Sequence, residues 1–145
     1  TVDTYRVIWL DVVLSVLSQI VFVFQAEDGI RYRDVTGVQT CALPILLAAL
    51  ADVPIEGRAA RFQCVIVFMR HSEDPMPFIA QGTWEGRILF DVSGENGFGY
   101  DPLFYVPTHQ CASAQLDPAT KNSISHRGQA LQSLLEHWPA LSGAI

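Results

Sequence analysis

Two stretches of this sequence combine side chains that do chemistry with backbone that can be shaped around a ligand. In "GFGYDPLFYVP", Gly97 to Pro107, an aromatic stands on each side of Gly99, and a carboxylate and a proline follow at Asp101 and Pro102. Gly94, Gly97 and Gly99 crowd this segment. Each glycine costs a strand conformational entropy and a packing side chain, so the segment reads as a shaped loop. Phe98, between two glycines, is a candidate for an open ring face able to stack on a planar base. Core packing is the competing fate for Phe98 and Tyr100.

The second stretch is "KNSISHRG", Lys121 to Gly128. Ser125 is a natural N-cap for a helix whose periodic apolar residues start soon after it. His126 and Arg127 then fall in the first turn, where the helix dipole disfavours cations. A ligand with negative charge or carbonyl oxygens would make up that loss. The alternative is that both are solvated, or paired with Asp101 or Asp117. Asp117-Pro118 reads as N-cap and N1 of a short helical turn that carries Lys121.

Together these residues suit a purine. A ring face lies on Phe98, Asp101 accepts from a ring N–H, and Arg127 donates to the carbonyl oxygen of a 6-oxopurine. A 6-amino group presents donors to the same cation and is rejected. Buried unpaired donors cost roughly 1–3 kcal/mol, enough to discriminate.

The elements that must position these groups follow from hydrophobic pattern. "LLAALAD", Leu46 to Asp52, reads as the end of a helix stopped by Pro54. "RFQCVIVFM", Arg61 to Met69, is a nearly unbroken apolar run of strand length, which predicts a strand covered on both faces. "HSEDPMP" is a turn, "FIAQGTWEGRILF" a strand broken near Glu85-Gly86, and "LFYVP" a short strand ended by proline. Ala130, Leu131, Leu134, Leu135 and Trp138 form one apolar stripe on a final helix. Helix, strands and helix make an α/β architecture.

The chain has 145 residues, half of them apolar, and a net charge of −6. That length suits one domain with a real core. The charge argues against a nucleic-acid polymer as partner, since neutralising many phosphates needs a basic surface. Cys41, Cys64 and Cys111 show no metal-ligand spacing and suggest neither a disulfide framework nor a zinc site, which fits a reducing cytoplasm. Cys64 reads as a small core hydrophobe.

The character of the chain changes near Ile45. Tyr5 to Phe24 is apolar enough to raise a membrane-anchor reading and hence a membrane-tethered binding module, but Asp11 lies inside the run and a charge at membrane depth is costly. "QAEDGIR" and "DVTGVQTCALPI", Gln25 to Arg31 and Asp34 to Ile45, resemble the conceptual translation of a sequencing adaptor read in one frame. Residues 1–45 are therefore expected to be a non-homologous, artefactual leader, and residues 46–145 the functional part.

"ARFQCVIVFMRH", "GENGFGYDPLFYVP" and "KNSISHRGQAL", in this order and spacing, resemble the C-terminal half of the noncanonical purine nucleoside triphosphate pyrophosphatases, the inosine/xanthosine triphosphate pyrophosphatase family. The resemblance implies a partial form of an elongated α/β fold with a mixed sheet and flanking helices, its N-terminal half missing. It further implies a homodimer and Mg²⁺-dependent cleavage of ITP, dITP or XTP to the monophosphate and pyrophosphate. Phe98, Gly99, Tyr100 and Asp101 would form the nucleotide-binding loop, Lys121 a nucleotide contact, and His126 and Arg127 the base-recognising pair. Gly128 would allow close approach at the helix start. The family's Thr-Gly-Asn-x-x-Lys loop and Asp-Asp-Ser-Gly segment, which hold the triphosphate and activate water near the metal, do not occur here. The general base and metal ligands are thus expected to be missing, which leaves a catalytically inactive fragment that recognises purines as the alternative. "AEDGI" at Ala26 to Ile30 lacks the serine, and Asp91 and Glu95 suit surface or turn roles.

Overall fold

The computed structural model describes residues 6–15, 20–25, 36–97 and 99–142. Its centre is the antiparallel hairpin of β3 (Ala59–Met69) and β4 (Phe78–Ile88), in register from Ala59 opposite Arg87 to Phe68 opposite Phe78. The polar, proline-bearing link between them forms the turn expected of it. Asp74 in that turn accepts from the backbone N–H groups of Arg70 and Met76 and from the Arg70 guanidinium.

Alternation along the two strands sends Phe62, Cys64, Ile66 and Phe68, with Ala80, Trp84 and Ile88, to one buried face. The expectation that β3 is covered on both faces is not met. Gln63, Val65 and Val67 on its other face are only half-buried and Arg61 is exposed, because the helices pack on one side of the sheet. Nor does β4 break at Glu85-Gly86. Glu85 pairs across the ladder with Arg61 at 3.0 Å, and Gly86 lies where a Cβ would be 2.5 Å from the Phe104 ring. That glycine admits an aromatic ring to the strand surface; it does not interrupt the strand.

The sheet continues through β5 (Phe104–Val106) and β6 (Cys111–Ala112) on one side, and β1 (Arg6–Ser15) and β2 (Ile20–Gln25) on the other. The strand order is β2-β1-β3-β4-β5-β6, and every described pairing is antiparallel. The apolar run considered as a membrane anchor therefore supplies strands, β1 pairing with β3 from Arg6 opposite Met69 to Ser15 opposite Ala60. Among the described residues no helix is long and apolar enough to cross a membrane.

Helix α1 (Thr36–Ala49) runs through Pro44 and across Ile45, ends before Pro54, and buries Leu46 and Leu50 against Phe62, Ile88 and Phe104. Arg58 is 1% exposed, and its guanidinium donates to the carbonyls of Leu50, Val53 and Leu89 while the Phe90 ring lies 3.9 Å away. A buried cation satisfied by carbonyls at a helix C-terminal end joins α1 to the exit of β4.

Helix α2 (Pro118–Ile124) leads directly into α3 (His126–Ser142), which lays Ala130 and Leu134 on Cys64, Ile66, Phe68 and Ala80. The five-residue stripe read from the sequence is only partly buried. Leu131, Leu135 and Trp138 are exposed, since the sheet meets α3 along a narrower arc than the stripe spans. Trp138 still meets Phe68 edge-on at 5.4 Å.

Candidate functional site: a glycine loop on a buried ion pair

The loop between β4 and β5 is pinned by backbone bonds from Ser93 N–H to Pro102 carbonyl at 2.8 Å and from Asn96 N–H to Ala114 carbonyl at 3.1 Å. Gly94, Gly97 and Gly99 have φ of +86°, +86° and +61°, conformations that side chains with a Cβ rarely adopt. Their surroundings differ. A Cβ on Gly94 would sit 2.8 Å from the Ala114 carbonyl, and one on Gly97 would run into Asp101 Oδ2 and lie 2.9 Å from Lys121 Nζ. Only at Gly99 would it meet nothing within 4 Å. Two of the glycines thus seat the loop on the protein itself, and Gly99 borders open space. Phe98 lies outside the described residues.

Asp101 is 5% exposed, at the start of a 3-10 turn, Asp101–Leu103. Its Oδ1 accepts from Ser113 Oγ at 2.9 Å and its Oδ2 from Lys121 Nζ at 2.7 Å. Both oxygens of the carboxylate that the sequence offers to a purine ring N–H thus already accept a hydrogen bond from within the protein, one of them from Lys121. Tyr100 takes the core-packing alternative for its ring. It is buried in the cluster of Phe62, Trp84 and Phe104, and burial pushes its phenol up from the ordinary value. The ring belongs to the core, leaving the backbone of Tyr100 to shape the loop.

Lys121 is carried by α2 as the sequence indicates. Asp117 caps that helix by accepting from Thr120 N–H at 2.9 Å, and this bond holds its carboxyl below the usual range. Ser125 is the N-cap of α3, its Oγ accepting from Gly128 N–H at 3.2 Å, and its own N–H closes α2 on the Lys121 carbonyl at 2.9 Å. His126 and Arg127 do open α3, both half-buried. The His126 ring stacks on Phe62 with centroids 4.9 Å apart and 14° between planes, and lies 6.4 Å from Trp84. Gly128 allows a close approach, but of α3 to α2, since a Cβ there would strike the Asn122 carbonyl.

Three contributors were missed in the sequence. Gly82 faces the start of α3 so closely that a Cβ would collide with the His126 carbonyl. A lone glycine in a strand pattern is a signal of close backbone approach and could have revealed it. The Phe62–Trp84 floor beneath His126 and the hydroxyl of Ser113 carry no such signal, because their roles depend on strand register and on a turn packed from elsewhere. Among the described residues no three His, Cys, Asp or Glu side chains converge as a metal cage.

The fold and site define a class: an α/β protein in which a cationic corner between two helices is ion-paired to the underside of a glycine loop. The Ham1 family model matches residues 20–137, and the chain belongs to that family. It is 61% identical over 89 residues to the dITP/XTP pyrophosphatase of Vibrio parahaemolyticus serotype O3:K6 (strain RIMD 2210633), covering 61% of this chain and 44% of that protein. Against the dITP/XTP pyrophosphatase of Coxiella burnetii (strain RSA 493 / Nine Mile phase I) it is 48% identical over 104 residues, 72% of this chain and 52% of that one. The chain spans about half the length of these curated relatives. Among solved structures, the HAM1 protein from Coxiella burnetii superposes with a TM-score of 0.64 at 49% identity, covering 68% of this chain and 50% of that one. The Staphylococcus aureus Ham1 protein superposes with a TM-score of 0.73 at 31% identity, covering 99% and 70%.

Proposed function

We propose that the chain is part of an enzyme that hydrolyses the noncanonical purine nucleoside triphosphates ITP, dITP and XTP to the monophosphate and pyrophosphate, clearing deaminated purines from the nucleotide pool. The observation that carries this reading is the placement of Lys121, 2.7 Å from Asp101 beneath the glycine loop, on the helix that leads straight into His126 and Arg127. Lys121 and the start of α3 supply positive charge for an anionic nucleotide. Arg127 donates to the 6-oxo group, His126 is held by its near-parallel stack on Phe62, Gly99 lets the base approach, and Phe98 covers its face. Tyr100 and Asp101 contribute as parts of the loop and its support.

Divalent metal chemistry, with Mg²⁺ as the ion, is implied by the resemblance to nucleotide hydrolases, where it neutralises phosphate charge. The described residues do not fit such an ion: Asp101 already accepts from Ser113 and Lys121, and no other carboxylates converge beside it. The engagement of Asp101 with Ser113 and Lys121 supports recognition of a purine as the second reading. A homodimer and a cytoplasmic setting complete the proposal.

The test is pyrophosphate release with Mg²⁺ by the protein that the intact gene encodes. ITP is expected to turn over at least tenfold faster than ATP, and Arg127→Ala to erase about tenfold of that preference. Equal rates on ITP and ATP before mutation would contradict the proposed readout.

A further inference from the structure

We propose that Ser113 is a positioning residue, which fixes Lys121 Nζ by way of Asp101; the inference rests on the nucleotide site proposed above for its ligand. Ser113 is fully buried and opens a 3-10 turn, Ser113–Gln115. Its Oγ donates to Asp101 Oδ1 at 2.9 Å, while Lys121 Nζ donates to Oδ2 at 2.7 Å. A carboxylate turns easily about its last torsion, and a lysine stem has many rotamers. The serine hydroxyl sets the plane of the carboxylate, so that Oδ2 presents one direction to the ammonium group. The ion pair sits against Gly97, where an added Cβ would collide with Asp101 Oδ2 and lie 2.9 Å from Lys121 Nζ. The same turn holds the loop by a second route, from Asn96 N–H to the Ala114 carbonyl at 3.1 Å, with Gly94 packed on that carbonyl. One short turn therefore places both the loop backbone and the cation beside it.

The test uses the whole 145-residue chain and the variants Ser113→Ala, Ser113→Thr, Lys121→Met and Ser113→Ala/Lys121→Met. Without ligand, the ¹H–¹⁵N signal of the Lys121 ammonium group reports whether it is held. It is expected in the unmutated chain, lost in Ser113→Ala and kept in Ser113→Thr, which retains the hydroxyl. In titrations with ITP, Ser113→Ala is expected to weaken binding about tenfold, and to change it less than twofold when Lys121 is already Met. An ammonium signal that survives in Ser113→Ala, or is absent from the unmutated chain, overturns the proposal, as do losses that multiply in the double variant. Should Ser113→Thr fail to fold, the alanine variant and the cycle still decide. An unmutated chain that does not bind ITP contradicts the nucleotide reading, while the ammonium signal continues to judge Ser113.

Discussion

At Asp101 two donors from different elements, Ser113 and Lys121, converge on one buried carboxylate, so its charge is spent on building the site. Asp74 shows the same economy in the β3–β4 turn, where the Arg70 guanidinium and the N–H groups of Arg70 and Met76 hold its carboxyl far below the ordinary value of 3.8. A carboxyl that binds its proton less tightly when folded adds stability that is complete above that value and drains as pH falls through it. Acid unfolding between about pH 4 and pH 2 is therefore expected to be shallower in Asp74→Asn than in the unmutated chain. Chemical denaturation across that interval checks this; parallel curves would show that the Arg70–Asp74 pair adds nothing. Residue identity was the most legible layer where a local rule applied. Asp117 and Ser125 are caps in sequence and in structure because capping needs only a short side chain and the next turn. The engagement of Asp101 was not legible, since its partner Ser113 lies on a turn that reaches it only after β5 and β6 have paired.

The elements owe their placement to small residues at crossings. Gly82 in β4 lets the first turn of α3 settle on the strand, with the His126 carbonyl and Ala130 N–H where a side chain would otherwise stand. That seat brings His126 over Phe62. Gly82→Ala is expected to cost about 1–3 kcal/mol of stability, by overpacking, and to weaken ITP binding as α3 lifts. Unfolding and titration of the variant check this together, and unchanged values of both would mean that α3 is not seated by this contact. Most element boundaries could be read from pattern and punctuation, as with "HSEDPMP" between β3 and β4. Two readings failed for the same physical reason. Gly86 looked like a strand break and Leu131, Leu135 and Trp138 like core, but whether a position is covered depends on what packs above it, and one-dimensional periodicity does not contain that information.

At the scale of the molecule, the described residues form a six-stranded antiparallel sheet with two buried clusters packed on it. The net charge of −6 does not oppose the proposed function, because a single nucleotide needs only a few cations gathered in one place. The α/β class was legible from the succession of elements, and the family from three motifs that the fold brings to one side. The pairing of β1 along β3 was not, since an apolar run does not state which strand it will meet. Calorimetric titration of the 145-residue chain with ITP and with ATP tests the proposed recognition of a 6-oxopurine most directly. ITP bound at least about tenfold more tightly than ATP is the predicted result; equal affinities, or a preference for ATP, would contradict it.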